Sequence, residues 1–189
     1  GSEMCIRDST MYTKYPDSFR ARVLPNIQKL NEFWAEMQDH PQMVGHPVVH
    51  RENYTSRAIP IAFHGDGVPV TGVGKSWAQS MNIYSWSSML ATGSTTAFNF
   101  YTFGIWTKIV SSQPGRDTMA KFWKIFVWAL FWMWKGRWPD VDWDGVPLTS
   151  AVDVARALKP LAGTANNFYY CVLWCIKADL KFLWEELRL

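Results

Sequence analysis

The chain has 189 residues, 48% of them hydrophobic and only 19% charged, which fits one domain with its own core and excludes an intrinsically disordered chain. Its net charge of +3 is a mild basic bias, compatible with nucleic acid but too small to imply it. Three cysteines are too few for a disulfide framework. Cys171 and Cys175, on one face of a strand about 13 Å apart, are expected as reduced core residues of an intracellular protein. Twelve tryptophans and eleven phenylalanines exceed what a core of this size needs, so some are expected at the surface.

In chain order, residues 1–9 are polar, lack a signal peptide's apolar stretch, and read as translated sequencing adaptor. They are set aside, and the natural chain is expected to extend further at this end. Residues 10–57 form a helical and then irregular segment. A helix is predicted from Asp17-Ser18 through Phe19, Val23, Ile27, Leu30, Trp34 and Met37, kinked or divided at Pro25 and ended by Asp39-His40-Pro41. His40, His46 and His50 follow in loop, as surface or structural groups rather than zinc ligands.

Ile59 to Gly67 reads as a first strand that Val68-Pro69-Val70 extends or follows, and Met81 to Leu90 as another. Phe98 to Val110 is rich in strand formers, and Ser111 to Gly115 is a break. Thr118 is expected to cap a helix from about Met119 to Trp134. Its apolar run between Lys124 and Lys135 is only half the ~20 residues a membrane span needs, so it reads as a core helix. A short helix from Ala151 to Leu158, a strand from Phe168 to Asp179 and a helix over Leu180 to Leu187 complete a mixed α/β layer fold.

Two motifs are discounted on chemistry. Gly72-Val73-Gly74-Lys75-Ser76 suggests a phosphate loop, but Pro69 stands where the first glycine is needed and a strand follows, so a hairpin turn is favoured. Asp140 to Gly145 copies half a calcium loop, yet Ala151 occupies the place of the bidentate glutamate, which favours a solvated acidic turn. The more specific signal is His64-Gly65-Asp66-Gly67, where glycines flank an acid at an expected strand end. Asp179 closes the last strand in the same way. Two such ends side by side would hold a divalent cation, because hard cations take carboxylate oxygens on a stiff frame.

His64 to Val70, Thr71 to Trp77 and Ser85-Trp86-Ser87-Ser88, continued by Trp138-Pro139 and Leu173 to Leu180, resemble a repeated protein family abundant in certain protist genomes. The similarity covers most of the chain from about Asp17. More distantly, the layout is similar to DDE-type cut-and-paste DNA transposases with a ribonuclease-H-like core. The resemblance implies a ribonuclease-H-like α/β mixed sheet with flanking helices over residues 58–189, incomplete at the C-terminus. In that core the acids closing strands one and four lie on adjacent, parallel strands, and Asp66 and Asp179 match them by context. It further implies Mg²⁺ or Mn²⁺ held by Asp66 and Asp179, one ion activating water or a 3′-hydroxyl and the other stabilising the leaving oxygen.

DNA as partner, a nuclear location and phosphate contacts from Lys75, Lys121, Lys124, Arg137 and Lys177 belong to the same expectation. A third acid normally follows on a later helix. Glu185 and Glu186 come too soon after Asp179 to match it, so a fragment inactive by itself is expected. The competing expectation is a non-catalytic interaction module. There Asp66 is a turn residue, Asp179 caps a helix, and exposed tryptophans meet a protein partner or a missing part of the chain.

Overall fold

The computed structural model describes residues 15–71, 79–94, 98–114 and 116–178. Helix α1, Pro16–Arg22, starts with proline in its first turn and buries Phe19. Helix α2, Ile27–Met37, begins at Asn26, whose side chain accepts from the Lys29 N–H at 2.8 Å. Pro25 lies between them, so the single helical period of the sequence becomes two helices, as a residue without an N–H requires. Two 3₁₀ turns, Pro41–Met43 and Pro47–His50, and helix α3, Tyr54–Arg57, occupy the stretch read as irregular.

Strand β1, Ala58–Thr71, is followed by β2, Gln79–Ser88, and β3, Phe100–Trp106. Helix α4, Thr118–Lys135, and helix α5, Ala151–Arg156, come next. A small hairpin of β4, Gly163–Thr164, and β5, Asn167–Phe168, precedes β6, Tyr170–Ala178. The main sheet has the order β3-β2-β1-β6. Both β2 and β3 pair antiparallel with their predecessors, whereas β6 returns parallel to β1 after the long connection containing α4. The fold is therefore a mixed α/β layer structure with a four-stranded sheet and flanking helices, as the order of elements implied.

Alternation sends Ile59, Ile61 and Phe63 toward α4, where Phe63 lies 4.3 Å from the Phe126 ring and 5.9 Å from Trp123. On α4, Phe122, Phe126, Ala129 and Met133 form the buried stripe. The helix is wrapped on a second side by the loop after it, since Trp128 Nε1 donates to the Val141 carbonyl at 3.0 Å and its ring meets Trp143 edge-on. That double burial accounts for an aromatic helix that does not span a bilayer. Among the described residues no helix is long and apolar enough to cross a membrane. The N-terminal segment joins the same core through Trp34, whose Nε1 donates to the Ala58 carbonyl at 2.8 Å and whose ring packs edge-on against Trp174.

Three expectations are corrected. The cap of α4 is Asp117, which accepts from the Ala120 N–H at 2.9 Å, while Thr118 Oγ1 accepts from the Ser111 N–H and so ties the preceding break to the helix. Asp66 does not close β1, because pairing with β2 continues through Gly67–Asn82, Val68–Met81 and Pro69–Ser80. Cys171 and Cys175 do not share a strand face. A bulge between them pairs Cys171 with Ile59 but Cys175 with Ala62, and both are half-buried and outside any disulfide among the described residues.

Candidate functional site

Strand β1 carries Asp66, and β6, whose last residue precedes Asp179 in the chain, is its hydrogen-bonded neighbour running the same way. Their described register ends at Gly65–Ala178, the residues that precede Asp66 and Asp179 in the chain. Asp179 itself, with Glu185, Glu186 and Lys75, lies outside the described residues. Asp66 is half-buried opposite Ile83, on the sheet face away from Phe63 and α4. Its carboxylate makes no hydrogen bond or ion pair among the described residues. No group of three or more His, Cys, Asp or Glu side chains suited to a metal ion occurs among them.

One rung behind Asp66, four polar side chains stand in line across the sheet. His64 pairs with Lys177 of β6 on one side and with Ser85 of β2 on the other, and Ser85 pairs with Tyr101 of β3. A register shift after Tyr84 turns Tyr101 onto this face while Phe103 stacks on Phe122 beneath α4. The Tyr101 ring lies over Gly104, where an added Cβ would sit 2.6 Å from its hydroxyl. Sequence reasoning missed this row. The available signal was that His64 and Lys177 each stand two residues before an acid, so parallel pairing of the strands sets them side by side.

The other expected phosphate contacts lie elsewhere. Lys124 pairs with Asp144 at 2.5 Å, and Arg137 donates to the Leu158 carbonyl with its guanidinium over the Phe168 ring. The acidic turn closes on itself, since Asp142 Oδ1 accepts from the Asp144 and Val146 N–H groups at 2.8 and 2.9 Å. Its Asp144 is held below the usual carboxylate range, first by the hydrogen bond from Lys124. The phosphate-loop motif, residues 72–76, lies outside the described residues, but the next described element is strand β2 rather than a helix, which removes the dipole such a loop feeds.

No family model, curated protein or solved structure matches the chain.

The histidines of the N-terminal segment serve local structure. His40 and His46 each precede a proline, and their Nδ1 atoms accept from the Gln42 and Val48 N–H groups. Both rings lean on Trp174. Burial lowers the pKa of His46 below its ordinary 6.5. A neutral imidazole is thus favoured in the folded chain, and the unfolded chain binds the proton more readily. This contribution to stability is complete above pH ~6.5 and is lost as the pH falls through the lower folded value. The urea midpoint should decline on acidification from pH 7.5 to 5. In His46→Asn, which keeps a capping acceptor, the decline should be shallower.

A shallow apolar groove runs between α4 and β6, lined by Val127, Phe131, Cys171 and Leu173 with His46 at one end. It includes neither Asp66 nor the polar row.

Proposed function

We propose that this chain is part of a DDE-type transposase-like protein with a ribonuclease-H-like core, acting on DNA in the nucleus. Asp66 and Asp179 would hold Mg²⁺ or Mn²⁺ for strand cleavage or transfer, with a third acid completing the site in the intact protein. The observation that supports this reading is the parallel pairing of β1 and β6, in register up to the residue before each acid. The placing of the main sheet's fourth strand beside its first supports the same reading. The donor chemistry fits a hard cation, because Asp66 offers carboxylate oxygens, unpaired among the described residues, from a stiff strand. A bound ion of this kind supplies Lewis-acid stabilisation of a phosphoryl oxygen and a water of lowered pKa.

Metal binding tests the reading directly. Calorimetric titration of the chain with Mn²⁺ should give a site that Asp66→Asn and Asp179→Asn each weaken by at least about tenfold, as loss of a charged ligand does. Binding that ignores both substitutions overturns the assignment. With the third acid present, nicking of supercoiled DNA should depend on Mg²⁺ or Mn²⁺ and vanish in Asp66→Asn.

A second reading has its own support. Val127 and Phe131 on α4 are 62% and 49% exposed beside the groove along β6. An interaction module would use that surface, and it predicts partner binding that survives Asp66→Asn.

A further inference from the structure

We infer that the open sheet face carries a binding track for single-stranded nucleic acid, with bases stacked on Tyr101 and Trp106 and the phosphate backbone drawn to Lys177 and His64. The inference deepens the cleavage reading, on which it rests only for the position of the scissile bond beside Asp66.

The row Tyr101–Ser85–His64–Lys177 crosses four neighbouring strands, so its ends are about three strand spacings, roughly 14 Å, apart. His64, Tyr101 and Lys177 can donate hydrogen bonds to a ligand on this face while Ser85 is buried between them, and the Lys177 ammonium is exposed with no carboxylate bound to it among the described residues. Tyr101 and Trp106 are 57% and 38% exposed at the far side. Trp106 pairs with Met81, which pairs with Val68 of β1, so its side chain stands on the same face as Asp66.

Aromatic rings on an open sheet with a cation alongside form the platform on which unpaired bases stack and their phosphates are neutralised. A free phosphate ion would have no use for the rings, and a closed duplex hides the base faces that the rings would meet. Charge complementarity is local. Among the described residues the opposing charge beside the row is Asp66, which in the absence of metal repels the backbone.

The track is tested without metal. A fluorescein-labelled oligothymidylate is titrated with the full chain in EDTA and followed by anisotropy at several salt concentrations. Tyr101→Ala and Trp106→Ala should each weaken binding by about 5- to 150-fold, the range for losing one stacked base. Lys177→Gln should lower the slope of log affinity against log salt by about 0.7, one phosphate contact on a single strand. Asp66→Asn should tighten metal-free binding.

Unchanged affinity in both Tyr101→Ala and Lys177→Gln, or preference for duplex over single strand, overturns the track. Loss of oligonucleotide binding in these variants, with Mn²⁺ binding indifferent to Asp66→Asn, leaves the track standing and removes the cleavage reading. Mn²⁺ binding that needs Asp66, with oligonucleotide binding indifferent to Tyr101 and Lys177, removes the track alone.

Discussion

Replacing Trp34 with alanine should lower the unfolding free energy by about 3–5 kcal/mol, the cost of emptying a buried aromatic site. The side chain is 1% exposed, and its ring meets Phe33, Tyr54 and Trp174 edge-on at 5.1, 5.5 and 5.4 Å. It joins α2 to α3, to the Ala58 carbonyl at the start of β1 and to β6, so one truncation loosens four elements. Trp34→Phe separates the two contributions. It keeps most of the ring contacts and leaves the Ala58 carbonyl without its donor, which should cost about 1–3 kcal/mol. Urea unfolding measures both. Against a typical total of about 5–15 kcal/mol, the alanine variant should give up a substantial fraction of the stability. Equal losses in the two variants would show that the hydrogen bond, rather than the aromatic packing, dominates.

Gly136→Ala should be comparably damaging, and Gly45→Ala shows why. Both glycines lie in the left-handed region, at φ +68° and +72°, so alanine costs each about 1–2 kcal/mol in backbone conformation. At Gly45 an added Cβ meets nothing within 4 Å, whereas at Gly136 it would lie 2.6 Å from the Tyr169 carbonyl oxygen and 2.8 Å from the Phe168 ring. The second site therefore adds about 1–3 kcal/mol of overpacking. Gly136 closes α4, its N–H donating to the Met133 carbonyl while Arg137 N–H reaches back to Trp132. The close approach holds that helix end against the chain entering β6. Equal destabilisation at positions 45 and 136 would mean that the contact yields without cost.

The elements most legible in the sequence were those with a strong period and clear punctuation. Pro25 divided the N-terminal helix, Asp39-His40-Pro41 ended it, and α4 followed its apolar stripe from one break to the next. The adjacency of β1 and β6 was expected from the resemblance, and the two strands do pair in parallel. What stayed hidden depended on register, which no single strand encodes. Asp66 looked like a strand end because glycines flank it, yet antiparallel pairing with β2 carries the backbone on to Thr71. The polar row was invisible for the same reason. Tyr101 belongs to it only because one residue of β3 is skipped opposite Ser85, and alternation counted along β3 from Phe103 would have turned its ring toward α4.

The bulge in β6 has the same character and a larger consequence. Up to Leu173, opposite Ile61, the strand keeps step with β1, and then Cys175 rather than Trp174 meets Ala62. Were Trp174 to pair with Ala62 in unbroken step, Ile176 would stand beside His64, and Lys177 would fall opposite Gly65 on the side occupied by α4. Unbroken pairing through Trp174 would thus exchange inward and outward positions over the rest of the strand, whereas deleting Trp174 should leave Cys175 opposite Ala62 and Lys177 opposite His64. A one-residue frameshift in space, with the reading frame of the gene untouched, decides whether the end of β6 offers solvent its ammonium group or its greasy neighbours.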